Sequence, residues 1–154
     1  MKDRRLGIKI YDLRFDAQDE VYLLIDKKYK ALPKNPDGTF NLTSKDVDDN
    51  DIDALRHSYV SGIYIMEYNE ALADLLGRLN ELTSSAIGPT RAVSENMDLW
   101  NNSIGRYYAK KAMGKFDFFD LLLKALKNGE LILDLKYPRN SRVANQLNDC
   151  QNRL

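Results

Sequence analysis

Cysteine and histidine are almost absent from this sequence, which has one of each among its 154 residues. A single cysteine, Cys150, cannot form an internal disulfide or a cysteine-based zinc site. A single histidine, His57, cannot form a pair such as His-x-x-x-His, which argues against a zinc site of any kind. Sites that hold hard cations through oxygen ligands stay open, and no cofactor is indicated.

Net charge, long apolar runs and phosphate-binding loops are also missing. The 23 Lys and Arg residues balance 23 Asp and Glu residues, so no overall field attracts nucleic acid or an anionic membrane. No apolar run reaches the roughly 18 to 20 residues of a membrane span, and the charged N-terminus does not resemble a signal peptide. We expect a soluble chain with no transmembrane segment, no strong nucleic-acid signal and no export signal of its own.

Helical periodicity of the apolar residues predicts an all-α fold, a single compact domain over 1–154 with about five helices. Residues 1–15 alternate loosely and are expected to form a short extended arm. Residues 16–136 form the helical core, and 137–154 form a polar tail. A minor strand is possible near 131–135, before Pro138.

The helix boundaries follow from capping and terminating residues. Ser94 and Asp117 are expected to be N-caps, Gly114 and Asn128-Gly129 to be terminators, and Pro33 to Gly38 to be a loop. The predicted helices cover about 17–32, 52–68, 69–83, 94–113 and 118–127.

The stretch from Met97 to Arg106 combines an apolar helical face with a polar edge. At about 100° per residue, Met97, Trp100 and Ile104 share one stripe, and Asp98, Asn101, Asn102 and Gly105 lie at or beside it. Half-buried Asp and Asn side chains must find hydrogen-bond partners. The segment Arg56-His57-Ser58-Tyr59 is the best source of donors, so we expect its helix to pack against this one.

His57 lies four residues after Asp53, so on a helix the carboxylate can reach a ring nitrogen. Such a contact would fix the tautomer, raise the pKa of His57 and orient it as a general base. The alternative is an ordinary ion pair at a helix interface. Ser61 follows one turn later, but this spacing matches no hydrolase motif.

The oxygens of Asp98, Asn101 and Asn102 are suited to a sugar, a phosphate-bearing ligand or a metal ion, with Gly105 allowing close approach. An interhelical hydrogen-bond network explains the same residues equally well. Glu81 is a candidate general acid, although its position opposite the leucine stripe of its helix favours a solvent-facing residue.

Three motifs resemble an uncharacterised all-helical family of bacteria and their phages, also found at the C-terminal ends of large secreted toxin-like proteins. They are Arg56-His57-Ser58-Tyr59, Asn80-Glu81 and the most specific one, Met97-Asp98-Leu99-Trp100-Asn101-Asn102-Ser103-Ile104-Gly105-Arg106, within residues 50–135. The family pattern has a histidine directly before the glutamate. Asn80 stands there in this chain, which puts any two-histidine metal site in doubt. The resemblance implies a helical fold and a candidate polar site, without a known reaction.

These observations lead to the hypothesis of a small effector or toxin-type hydrolase that acts on a bacterial cell-envelope target. The expected catalytic residues are His57, Asp53, Glu81 and Asp98, and the expected substrate-binding residues are Arg56, Tyr59, Asn101, Asn102 and Arg106. An immunity or delivery partner, or a larger secreted parent protein, would accompany such a domain. The alternatives are a non-enzymatic interaction domain, with His57 buried and no cleft, and a metal-dependent nuclease toxin.

Overall fold

The computed structural model describes the backbone of residues 2–83 and 91–136 and the side chains of residues 9–79 and 92–136. Within these ranges the chain forms six helices and no sheet, with one isolated bridge between Lys34 and Phe40. The all-α prediction is therefore confirmed. The helices are α1 (Lys2–Lys28), α2 (Ser44–Val47), α3 (Asp51–Glu67), α4 (Glu70–Thr83), α5 (Arg91–Ala109) and α6 (Lys115–Lys127).

Helix α3 is the centre of the fold, because it packs against each of the other five helices. Its own composition explains this position, since apolar or small residues cover most of its circumference and its buried set runs from Ile52 to Tyr64. A helix without a wide polar face must be covered on several sides. The core around it includes Val21 and Ile25 from α1, Trp100 and Ile104 from α5, and Phe118 and Leu122 from α6.

The backbones of α3 and α5 approach each other unusually closely at Gly105. A Cβ atom at this position would lie 1.8 Å from the carbonyl oxygen of Ser58, so only glycine fits. The Ser58 hydroxyl donates to the carbonyl oxygen of Asn101 at 2.9 Å and so fixes the contact. The predicted pairing of the His57 helix with the Asp98 helix is therefore present.

The prediction of an extended arm over 1–15 is wrong, because α1 begins at Lys2 and continues without a break to Lys28. Ile10, Leu13, Ala17, Val21 and Leu24 recur every three or four residues, which is the spacing of one helical face. The partly buried Leu13 packs against the core beyond Ala17. Packing against the core thus favours a helix in a segment whose alternating apolar residues had predicted an extended conformation.

Several boundaries also differ from those predicted. Ser94 is not an N-cap, because α5 begins at Arg91, and its hydroxyl donates to Asp49 Oδ1 at 3.0 Å. Gly114 does not end α5, which stops at Ala109; it is the N-cap of α6 instead. Residues 131–135 form no strand, although Leu131 and Ile132 are buried. The tail over 137–154 lies outside the described residues.

Candidate functional site

A cleft of about 410 Å³ lies between α1, α3 and α4. Helix α3 contributes Arg56 and His57 to its wall, and Asn102 reaches it from α5. Gly77 makes room for Asn102, because a Cβ atom there would lie 3.0 Å from the Asn102 side-chain nitrogen. The volume is within the range of small-molecule sites, roughly 300–1,000 Å³. Three of the predicted site residues therefore share one cleft.

Two carboxylates lie beside one ring nitrogen of His57. Its Nε2 atom is 3.4 Å from Asp53 Oδ1 and 3.4 Å from Asp98 Oδ1. The Nη2 atom of Arg56 lies 3.3 Å from the same nitrogen and also pairs with Asp53 Oδ1. When protonated, this nitrogen can donate to either carboxylate. When unprotonated, it can accept a hydrogen bond from Arg56.

Asp53 is fixed from several directions. Asn50 caps α3 by accepting hydrogen bonds from the backbone N–H groups of Ile52 and Asp53, which places Asp53 in the first turn. The second carboxylate oxygen accepts the Asp49 N–H at 2.8 Å. A negative charge is favourable near the positive end of a helix. Asp53 is therefore a fixed charge beside His57, and its strongest side-chain partner is Arg56.

The pKa of His57 is lowered from 6.5 to about 3, mainly by burial and then by the charges of Arg56 and Arg14. A hydrogen bond with Asn102 acts in the opposite direction. The prediction that Asp53 raises this pKa is therefore wrong. The reason is that Asp53 is already neutralised by Arg56, while the imidazole is largely removed from water, its side chain being 12% exposed.

A family model described as "Domain of unknown function (DUF6973)" matches residues 22–130. The chain belongs to the DUF6973 family. The match includes Asp53, Arg56, His57, Asp98 and Asn102, and begins within α1. No curated protein and no solved structure matched the chain.

Three residues of the DUF6973 domain that were predicted to bind substrate make contacts within the fold. The Asn101 amide donates to Ile132 O and accepts from Ile132 N, both at 2.9 Å, and so ties α5 to the segment after α6. Arg106 is buried and pairs with Asp74 Oδ1 at 3.1 Å. Tyr59 is fully buried and stacks on Phe118 at 5.3 Å between ring centroids. None of the three lines the cleft.

Glu81 was predicted as a site residue but cannot be placed, whereas Arg14 is in the cleft but was not predicted. The side chain of Glu81 lies outside the described residues, so its predicted role as a general acid stays a prediction. Arg14 lines the cleft and was missed, because its segment was assigned to an extended arm. The helical spacing of Ile10, Leu13 and Ala17 was the signal that could have placed it on α1.

Among the side chains of residues 9–79 and 92–136, Asp53, His57 and Asp98 form a group that could hold a metal ion. One ligand atom from each lies within 4.8 Å of the other two. The 3.4 Å separations at Nε2 match those of ligands around a tetrahedral ion at about 2.1 Å. The Nη2 atom of Arg56 lies against the same two atoms, Asp53 Oδ1 and His57 Nε2, so an ion would have to displace this guanidinium.

None of the helices in the described part of the chain has an apolar stretch suited to crossing a lipid bilayer.

Proposed function

We propose that this DUF6973 domain is a small hydrolase of the effector or toxin type, in which His57 is the general base and then the general acid. The observation that supports this most is the position of the only histidine, between two carboxylates and in the wall of a cleft. Histidine is the side chain that most often carries protons in enzymes.

The accessibility of the site also favours an enzyme over an interaction domain. A purely structural histidine needs no cleft, whereas a catalytic one must reach a bound substrate. The side chains of His57 and Asp98 keep 12% and 11% of their surface exposed, so a water molecule or a substrate group can reach both. Such partial exposure is suited to a catalytic group that is mostly buried but still in contact with solvent.

The proposed reaction needs only the groups of this cleft and the carboxylates beside His57. A water molecule beside His57 attacks the scissile carbonyl or phosphoryl centre while its proton passes to the neutral imidazole. The carboxylate of Asp98, 3.4 Å from Nε2, stabilises the imidazolium that forms. The bond to the leaving oxygen then breaks, and the imidazolium returns the proton to that oxygen. Asn102 holds the imidazole in position, and Arg56 stabilises the negative charge that develops.

The choice of a bacterial envelope target rests on two further observations. The balanced charge gives no attraction to nucleic acid, and the motifs resemble toxin-associated domains. Delivery by a partner or a parent protein and protection by an immunity protein belong to the same proposal.

Growth of bacteria that express the chain tests this proposal. The chain is directed to the cytoplasm or, with an added export signal, to the periplasm. His57→Asn and Asp98→Asn remove the proton carrier and the charge beside it. Lys9→Gln is the control, because Lys9 is exposed on α1 and does not line the cleft. Circular dichroism establishes that each variant is folded.

We expect growth arrest only with the periplasmic form, lost in His57→Asn and Asp98→Asn and kept in Lys9→Gln. Killing that both folded variants retain would contradict a catalytic His57. A harmless parent chain in both compartments would instead favour the interaction domain.

A metal-dependent hydrolase, including a nuclease toxin, is the second candidate. The grouping of Asp53, His57 and Asp98 favours it, because a neutral imidazole and two carboxylates can share one divalent ion. Thermal unfolding with Mn²⁺ or Zn²⁺ tests this candidate. A rise in the melting temperature that Asp98→Asn abolishes, together with killing restricted to the cytoplasm, would support it over the metal-free reaction.

A further inference from the structure

The cleft beside His57 has largely apolar walls. Its apolar side chains come from α1, α3 and α4, so one hydrophobic surface is shared by three helices. These residues are Ile10, Val60, Ala73, Leu76 and Leu79. Leu79 is 45% exposed even though it borders a concave surface. Apolar surface that stays accessible to water in a cleft favours a ligand with a hydrophobic part.

The charged groups in the wall all have the same sign. Arg14 and Arg56 line the cleft, and no Asp or Glu is among its lining residues within the described ranges. Both guanidinium groups lie close enough to His57 to lower its pKa. The Arg56 guanidinium itself lies 3.3 Å from His57 Nε2, so a positive charge in the wall is beside the proposed base.

The two arginines have hydrogen-bonding capacity that the described residues do not use. Arg14 has no ion pair or side-chain hydrogen bond with residues 9–79 or 92–136, and it is half-buried. Arg56 pairs with Asp53, but its Nε atom is buried without an acceptor in the same ranges. Nε is closed to solvent, but the Arg56 side chain as a whole is 21% exposed and both arginines line the cleft, so an anionic group there would gain charge-assisted hydrogen bonds.

We propose that this cleft binds an amphiphile with one aliphatic chain and one phosphate or carboxylate group, the anionic group lying at Arg14 and Arg56. The aliphatic chain lies against Leu76 and the other apolar walls. If the amphiphile is a substrate, the inference rests on the proposed hydrolase. The substrate would then be a lipid-like ester and not peptidoglycan. The binding of an amphiphile in the cleft does not depend on the proposed reaction.

Isothermal titration calorimetry of the full chain tests the inference, with dodecyl phosphate as the probe below its micelle concentration. Dodecanoate has the same chain with a carboxylate, dodecyl maltoside has no charge, and inorganic phosphate has no chain. The variants are Arg14→Gln, Arg14→Lys and Leu76→Asn, with Lys9→Gln as an α1 cation outside the cleft. Each variant is checked by circular dichroism, and Arg14→Lys keeps the charge if Arg14→Gln is poorly folded.

We expect dodecyl phosphate to bind at least about tenfold more tightly than dodecyl maltoside, which lacks the charge-assisted hydrogen bonds, and than inorganic phosphate, which lacks the apolar chain. Arg14→Gln and Leu76→Asn should each weaken binding tenfold or more. Arg14→Lys should restore part of the loss, and Lys9→Gln should change nothing. The ratio of dodecyl phosphate to dodecanoate affinity then identifies which anionic group the site prefers.

Equal affinity for dodecyl maltoside, or undiminished binding by folded Arg14→Gln, would overturn the inference. Tighter binding of a muramyl dipeptide than of dodecyl phosphate would also overturn it. Failure of the hydrolase proposal is distinct from these outcomes. If dodecyl phosphate binds to the parent and to His57→Asn but no lipid ester is hydrolysed, the binding site stands and the reaction does not.

Discussion

The low pKa of His57 predicts that acid destabilises this domain through one identified residue. The folded-state pKa is about 3, whereas an imidazole in an unfolded chain titrates near 6.5. Between these values the unfolded chain binds a proton that the folded chain does not bind. The contribution of neutral His57 is therefore fully present above pH 6.5 and is lost progressively as the pH falls towards 3.

The size of this effect follows from the two pKa values. Lowering the pH from 7 to 5 should reduce the free energy of unfolding by about 2 kcal/mol through His57 alone. The matched variant is His57→Gln, which cannot titrate and keeps a polar side chain. The parent should lose about 2 kcal/mol more than His57→Gln over this interval, because the carboxylates titrate in both chains.

Two measurements check this prediction. Urea unfolding at pH 7 and pH 5 gives the difference between the parent and His57→Gln. Nuclear magnetic resonance then follows the imidazole directly, and assignment is immediate because the chain contains one histidine. The folded chain should show no imidazole titration down to pH 4.

A measured pKa at or above 6.5 would refute the reasoning. It would mean that Asp53 and Asp98 outweigh burial together with the charges of Arg56 and Arg14. The parent would then gain stability relative to His57→Gln on acidification, which is the opposite sign.

An anion bound at the arginines should raise the same pKa. Arg56 and Arg14 are the second and third causes of the lowered value, after burial. Dodecyl phosphate should therefore move the imidazole titration to higher pH, whereas dodecyl maltoside should not. Such a shift would bring the proton affinity of His57 closer to that of an effective base at neutral pH.

Two further substitutions test the packing that holds the site. Gly105→Ala should cost about 3 kcal/mol or more in urea unfolding, because its Cβ would collide with Ser58 O, whereas Gly114→Ser, with open space around it, should stay within about 0.5 kcal/mol. A small loss in Gly105→Ala would show that α3 and α5 can separate easily. Asn101→Ala should cost about 2–4 kcal/mol and speed hydrogen exchange at the Ile132 amide, since it removes both hydrogen bonds to that residue. Unchanged exchange at Ile132 would contradict the structural role of Asn101.

Sequence periodicity located the central helices because each carries a strong local signal. The prediction of a helix over 52–68 agrees with α3 at Asp51–Glu67, and the break near Tyr68 and Asn69 separates it from α4. The glycine at position 129, with φ +71, follows α6 as expected for a terminator. Local patterns succeed where the cause of the structure is also local.

The candidate site was predicted less well, since its contacts join distant parts of the chain. Asp53 was expected to serve His57, but Arg56, three residues away, competes for the same carboxylate. Asn101 binds Ile132, and nothing local to either residue encodes that pairing. Arg14 comes to the cleft only because α1 continues as a helix along α3. The choice of partner among several polar groups depends on packing, which a single sequence does not display.

Because α3 and α5 approach closely at Gly105, the walls of the cleft differ in how readily they accept substitutions. Ser58 and Gly105 leave no space for a larger side chain. The parts of α3 and α5 that carry His57 and Asn102 are therefore held in a fixed relative position. Apart from Gly77, which lies against Asn102, no such contact is found in the described α1 and α4 walls, and Ile10 and Leu79 can change in size without moving His57 or Asn102. An engineer could therefore alter ligand preference from these walls alone, while the proton-carrying group keeps its geometry.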